Sequence, residues 1–317
     1  VINKAPRVSI VMPAYNAAAT IGEAIDSALA QTFQDFELIV VDDGSIDGTG
    51  QILKEYGERI CIITQANAGL SAARNAALRV ARGEYVAFLD ADDLWAPSML
   101  ERTTTVLDAE PSCVLVYTDL AIIDSRGAPL NTSLVGADKA HAPTLDEMLT
   151  SLWPIMPSAV VMRRAVLEEC GGFSEEFRSY GYEDAWCWML AREHGEFHYV
   201  PERLVKWRYS LFPRALKRPG GNPESAQIFA RLVKARFGVS VAPLVRSRLR
   251  AARSICGYIG LMAMREGDRR RAREAFAYAL WLDRWRVKNY LRWLRTWLPE
   301  GIARTLTGST VERKTRQ

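Results

Sequence analysis

Histidine and cysteine are scarce in this chain. Of 317 residues, three are His (141, 194 and 198) and five are Cys (61, 113, 170, 187 and 256). The His have no metal-ligand spacing and the Cys form no CxxC pair, which removes zinc-finger and thioredoxin-like readings. The scattered Cys sit in apolar contexts and read as buried, reduced thiols of a cytosolic protein. Long apolar runs are missing too: none reaches the roughly 18 residues of a membrane span. Residues 1–7 are short on apolar side chains and the run behind them stops at Ala14, so no leader is expected. A GxxxxGK[ST] phosphate loop is also absent.

What remains is a globular composition, 49% hydrophobic and 25% charged, long enough for one large or two small domains. The net charge of +4 hides an asymmetry. Residues 243–317 hold 18 Lys and Arg against 6 Asp and Glu, a net +12, which leaves −8 for the rest. An acidic body with a basic C-terminal segment is a partner signal.

Apolar runs at Val8–Met12, Phe36–Val41, Ile60–Thr64 and Tyr85–Leu89 read as strands, the first ended by Pro13. Helical periodicity fills Ala17–Ala30, Gly50–Tyr56 and Leu70–Ala81. A strand about every 25 residues with a helix between argues for right-handed βαβ units and a doubly wound, mostly parallel α/β sheet. Beyond residue 110 the rhythm loosens. Ser112–Thr118 and Ser158–Met162 read as strands, Arg163–Cys170 and Tyr182–Glu193 as helices, and Phe197–Tyr209 as extended. Ser125–Pro143 reads as a loop. The Gly/Pro-rich break Arg214–Pro223 sets the expected boundary: residues 1–213 form one domain, with halves of about 1–110 and 111–213, and 214–317 a helical region.

In such sheets, ligands bind outside the carboxyl ends of the strands. Here those ends carry Pro13, Ala14, Tyr15 and Asn16; Asp42 and Asp43; Asn67; and Asp90-Ala91-Asp92-Asp93. Three carboxylates within four residues repel one another, and a cation neutralises such a cluster. Asp90 and Asp92 are two apart, so at a strand end they point the same way. Paired hard oxygens suit Mg²⁺ or Mn²⁺, which keep waters and take up substrate phosphates. The plain alternative is a solvated acidic turn, with Asp93 capping a helix near Pro97.

The stretches "VSIVMPAYNAAATIGEAIDSALAQTFQDFELIVVDDGSIDGT", "QANAGLSAARNAAL" and "ARGEYVAFLDADDLWAP", followed by "GGFSEEF" and "GYEDAWCWMLA", resemble the successive motifs of the family 2 inverting glycosyltransferases of the GT-A fold. The resemblance covers about Val8 to Tyr209. It implies a Rossmann-like GT-A sheet and transfer of a sugar from a nucleotide-sugar, expected to be a UDP-sugar, to a hydroxyl of a saccharide or lipid-linked saccharide, as in bacterial polysaccharide or glycolipid synthesis. Tyr15, with Pro13, Ala14 and Asn16, and Asp43 match the segments that hold the base. Tyr15 offers a flat face and Asp43 an acceptor for a ring N–H. The alternatives are a packing ring and a turn cap.

Arg74 matches a position near the nucleotide, where a guanidinium suits phosphate or base; otherwise it is a solvated helix residue. Asn67 is a weaker candidate. Asp92, assisted by Asp90 and flanked by Ala91, matches the ligand of a divalent cation (Mn²⁺ or Mg²⁺) on the diphosphate, which would neutralise the leaving group. Glu183-Asp184 matches the family's ED pair, whose Asp is the usual general base. Adjacent carboxylates can push each other's proton affinities apart. Alternatively both acids simply favour the helix N-terminus. Trp153 is offered as a stacking platform for the acceptor.

The chain also departs from the family. Many members have another acid two residues after the ED pair and a His in the segment after "VPE"; here Trp186 occupies the first place and Arg208-Tyr209-Ser210 carries no His. A water or another residue would have to complete the metal shell. The QxxRW signature and membrane spans of processive synthases are absent, so one sugar per binding event is expected. In the basic segment Trp281, Trp285, Trp293 and Trp297 lie among Arg and Lys. Two apolar faces stand out: Ala272, Ala275, Phe276, Ala279 and Leu280, and Val287, Tyr290, Leu291, Leu294 and Leu298. This segment suits either packing within the chain or in a homodimer, or peripheral contact with the inner face of an anionic membrane. No recognition motif supports nucleic acid. Two other readings rival the glycosyltransferase. A non-catalytic nucleotide-binding scaffold would explain the missing His, and a sugar-phosphate nucleotidyltransferase needs a Gly-rich loop that "PAYNAAAT" is not.

Overall fold

The structure, a computed structural model, describes residues 5–124, 127–130, 139–151, 153–177, 181–208, 223–241, 257, 260–261, 263–264, 267–282 and 287–298. It divides into two compact units, Val1–Ser210 with Asn222–Leu244, and Leu211–Gly221 with Val245–Gln317.

The first unit opens with the expected alternation: β1 (Val8–Ala14), α1 (Ile21–Leu29), β2 (Phe36–Asp42), α2 (Thr49–Glu55), β3 (Cys61–Thr64), α3 (Leu70–Leu78) and β4 (Tyr85–Phe88). All seven residues of β1 are buried. It pairs in parallel with β2 on one side and β4 on the other, so both its faces are covered and its sequence is a continuous apolar run. Pro13 does not end the strand. The carbonyl of Val11 accepts from Leu89 N–H, on the β4 side, and residues i and i+2 face the same neighbour. The N–H that Pro13 lacks would therefore face β4, beyond the last paired position, Val11↔Phe88. The helix α1 buries Ile21, Ala24, Ile25 and Ala28 at three- and four-residue spacing. β3 is the sheet edge and its Cys61 is exposed, which corrects the expectation of uniformly buried thiols; Cys113 and Cys187 are buried. Cys256 lies outside the described residues.

Further elements are β5 (Leu94–Trp95), α4 (Met99–Ala109), β6 (Cys113–Ile123), β7 (Pro129–Leu130), α5 (Leu145–Thr150), β8 (Val160–Arg163), α6 (Arg164–Glu169), α7 (Glu183–Arg192), β9 (Glu196–Arg208) and α8 (Pro223–Phe237). The sheet runs β3-β2-β1-β4-β8-β6-β9-β5, with β7 on β6. The β3-β2-β1-β4 half is parallel. β8 is antiparallel to both β4 and β6, whereas β6 and β9 are parallel and shift register around Asp119. Phe88, Phe173 and Trp188 meet edge-on or tilted at 5.3–6.0 Å between ring centroids, locking β4 to α7. Each such buried ring contributes roughly 1.5–3 kcal/mol.

The boundary was expected at 213/214. The helix α8 lies beyond it, yet belongs to the first unit. Phe229 stacks on Tyr182 at 4.9 Å, Phe237 meets Trp186 at 6.2 Å, and Arg231 and Arg236 pair with Glu176 and Glu193. The break at 214–222, most of the loop expected at 125–143, and Trp285 lie outside the described residues.

The second unit contains the helices Arg269–Leu282 and Val287–Arg295. Its small core is Ala263, Ala272 and Phe276, with Met264 and Trp293 against it. Gly260 faces the Phe276 ring so closely that a Cβ there would lie 2.5 Å from it. The Ala272/Ala275/Phe276/Ala279 face is buried as the sequence suggests, but Val287, Tyr290, Leu291 and Leu294 are exposed. No helix among the described residues is long and apolar enough to cross a membrane.

Candidate active site

The parallel strands deliver their carboxyl ends to one edge, and the loops there are laced together by side chain–backbone bonds. Asn16, at the end of β1, takes a left-handed backbone (φ 49°). Its N–H donates to Ser45 Oγ at 2.9 Å and its Oδ1 accepts from Ile46 N–H at 2.9 Å. Ala17 N–H reaches Thr49 Oγ1 at 2.8 Å. Asp43 is buried. Its Oδ1 accepts from Gln65 Nε2 at 2.7 Å and Ala68 N–H at 2.9 Å, and its Oδ2 from Gly69 N–H at 2.9 Å. Gly44 is required beside it: φ is +75° and a Cβ would lie 2.8 Å from Asn67 N. Tyr15 is half-buried at this edge and Asn67 exposed, while Pro13 and Ala14 are buried within β1. Asn16 and Asp43 are thus loop-building residues, a role beyond the ligand contacts the resemblance implies.

The acidic loop after β4 is held at every residue. Asp90 N–H donates to Ser158 Oγ at 3.0 Å. Thr20 Oγ1 donates to the Ala91 carbonyl at 2.9 Å and Arg208 Nε to the Asp92 carbonyl at 2.9 Å. Asp93 is buried, hydrogen-bonded to Ser158 Oγ at 2.5 Å, and accepts from Arg208 N–H at 2.8 Å. Burial, with the Asp92 and Asp90 carboxylates nearby, pushes Asp93 well above the usual carboxylate range. Asp93 is therefore a structural group. It does not cap the next helix, α4, whose N-cap residue is Ser98.

Arg74 joins this loop to α7. It has no exposed surface. Its Nη2 donates to Asp90 Oδ1 at 2.9 Å and its Nη1 to Glu183 Oε1 at 3.4 Å, with the guanidinium over the Phe173 ring at 5.0 Å. Its Nε is buried without a hydrogen-bond partner. Burial alone would weaken the proton affinity of Arg74, but Asp90, Glu183 and Asp184 more than restore it, so the charge is firmly held. Glu183 Oε2 also accepts from Gly181 N–H at 2.9 Å. Tyr182 takes a left-handed conformation (φ 74°) just before α7, a strained state that its stack on Phe229 helps hold. Asp184 follows in the first turn, half-buried, accepting from Ala185 N–H at 2.7 Å.

The structure thus brings Asp90, Arg74, Glu183 and Asp184 into one electrostatic cluster, with Asp92 in the same acidic loop. Trp153 is not in that cluster; its ring meets His141 at 4.9 Å and the Lys139 ammonium at 5.1 Å. Sequence reading missed Ser158 and the buried charge of Arg208. The signals were a lone hydroxyl before the apolar "AVVM" and an Arg in an alternating strand.

Among the described residues, no three His, Cys, Asp or Glu side chains gather as a metal site. Two carboxylates in one loop nevertheless fit a hard cation whose remaining positions go to water and phosphate oxygens. Asp92 and Asp90 would hold it.

The model of glycosyl transferase family 2 matches residues 9–171, just over half of the chain. The chain belongs to that family. An uncharacterized glycosyltransferase of Rickettsia typhi is 34% identical over 209 residues, 64% of this chain and 64% of its own length. TuaG of Bacillus subtilis, a candidate teichuronic acid biosynthesis glycosyltransferase, is 39% identical over 154 residues, 46% of this chain and 58% of its own. The chain therefore spans less than two thirds of the length of these relatives. The solved structure of S. aureus TarS 1–349 in complex with UDP superposes with a TM-score of 0.53 over 95% of this chain and 92% of that chain. At 21% identity that likeness is one of fold. The family match ends before Glu183 and Asp184.

Proposed function

We propose that this family 2 member transfers a single sugar, with inversion, from a UDP-sugar to a hydroxyl of a saccharide or lipid-linked saccharide. The observation that carries the reading is the Asp90–Arg74–Glu183 bridge, which ties the acidic loop to the start of α7. Any donor diphosphate near Asp92 and any acceptor hydroxyl near Asp184 would then meet across a fixed distance.

In this reading Tyr15 and Asp43 receive the base. Asp184 takes the proton of the acceptor hydroxyl as its oxygen attacks the anomeric carbon, and the bond from that carbon to the nucleoside diphosphate breaks. Glu183 stays charge-balanced by Arg74 and sets the position of its neighbour. A Mn²⁺ or Mg²⁺ ion held by Asp92 and Asp90 would supply charge stabilisation to the departing diphosphate. The loop holding these acids is prebuilt by Ser158, Thr20 and Arg208, so it needs little ordering when the donor binds.

Calorimetric titration of UDP, with Mn²⁺ and with chelator, on the wild type and Asp92→Ala tests the reading. Metal-dependent binding that disappears in the variant supports it. Absence of UDP binding under both conditions overturns the uracil assignment.

A further inference from the structure

The helix Val287–Arg295 has two faces. On one, Trp293 packs against the Ala263, Ala272 and Phe276 core, and Thr296 beyond the helix end is buried. On the other, Val287, Tyr290, Leu291 and Leu294 recur at i, i+3, i+4 and i+7, so at 100° per residue they form one stripe. These side chains are 43–69% exposed, as is Trp297 just past the helix at 59%. Four large hydrophobic side chains in one row, with Trp297 exposed just beyond the helix end, make an apolar surface that the unit's small core does not use.

We propose that this stripe is a membrane-interface face that seats on a lipid surface carrying anionic headgroups. Charge decides among occupants. Residues 243–317 carry a net +12. Two copies meeting through this helix would bring like charges together, whereas an anionic bilayer is complementary to them. Arg295, in the last turn of the helix, lies beside the stripe. At its end the Arg273 guanidinium stands over the Trp297 ring at 4.4 Å, an aromatic–cation pair suited to the headgroup level. The apolar stripe would enter the headgroup–acyl boundary while the basic side chains remain at the phosphates. The inference goes beyond the proposed transfer reaction and does not depend on it.

The test is co-sedimentation of the full chain with phosphatidylcholine vesicles, with and without phosphatidylglycerol, comparing the wild type with a Leu291→Glu/Leu294→Glu variant. Both positions are exposed, so circular dichroism should be unchanged. Wild-type protein is expected to pellet with the anionic vesicles and to remain soluble with the neutral ones, and the variant to lose more than about tenfold in partition. Quenching of tryptophan fluorescence by brominated lipid, reduced in Trp297→Phe, gives a readout that survives misfolding of the double variant. Wild-type protein that ignores anionic vesicles overturns the proposal. So does partition unchanged by the double variant, or a wild-type dimer that the variant converts to monomer without any lipid binding.

Discussion

Arg74 Nη2 and Asp90 Oδ1 lie 2.9 Å apart, joining an arginine with no exposed surface to an aspartate whose side chain is 24% exposed. The same guanidinium reaches Glu183, so one buried cation serves two anions from separate elements. Arg74→Met takes the guanidinium away from Asp90 and from buried Glu183 and should cost about 3 kcal/mol in urea unfolding. Arg74→Lys keeps the charge but not the two-pronged fork, and should recover only part of that loss. A change below about 1 kcal/mol for the Met variant would mean the bridge is not formed.

Asp184→Asn removes the proposed proton acceptor while preserving shape. The rate of UDP release from donor in the presence of acceptor should fall by about 10²–10⁴. UDP affinity should stay as in the wild type. A variant that turns over normally would remove Asp184 from the chemistry.

Glu37 makes stability depend on pH on the acid side. Burial opposes its charged form, but the Arg82 N–H at 2.8 Å, Ser9 Oγ at 2.7 Å and the Arg82 guanidinium outweigh it, and its proton affinity falls below the ordinary value. The depressed value means the contribution is present above the unfolded-state pKa of about 4.3 and is lost as pH drops through the folded value. Glu37→Gln should therefore be less stable than the wild type at neutral pH, with the gap closing as the solution is acidified. Thermal melts across that range that run parallel for the two proteins would contradict this.

Phe229→Ala opens a cavity against Tyr182, since Phe229 is fully buried and stacked on that ring. The expected cost is about 3–5 kcal/mol by denaturant unfolding. Turnover should fall too, because the left-handed Tyr182 positions the start of α7. Turnover unaffected at a temperature where the variant is folded would separate α8 from the site.

The alternation through β4 was legible because β1 and β4 are buried along their whole length and read as unbroken apolar runs. The direction of β8 was not, since pairing sense is set by tertiary neighbours rather than by composition. The two-residue β5 carries too short a pattern to read. At the site, the acidic loop and the Glu183-Asp184 pair were visible as residue types, and the family model covers the first of them. The depth of Arg74 was not, because an arginine on a helix is ordinarily solvated. Its neighbours Ser71, Ala73, Ala76 and Ala77 held the clue: a helix face that small packs close enough to swallow a guanidinium. Val287, Tyr290, Leu291 and Leu294 misled in the opposite sense. Their spacing announces an apolar face but not whether protein covers it.

The acidic loop draws its supports from Thr20 just before α1, Arg74 on α3, Arg208 at the end of β9 and Ser158 before β8. Drift in any one of those distant segments would be felt first as a misplaced carboxylate rather than as a lost fold. Thr20, Arg74, Ser158 and Arg208, far apart along the chain, thus act on the same few atoms of one loop.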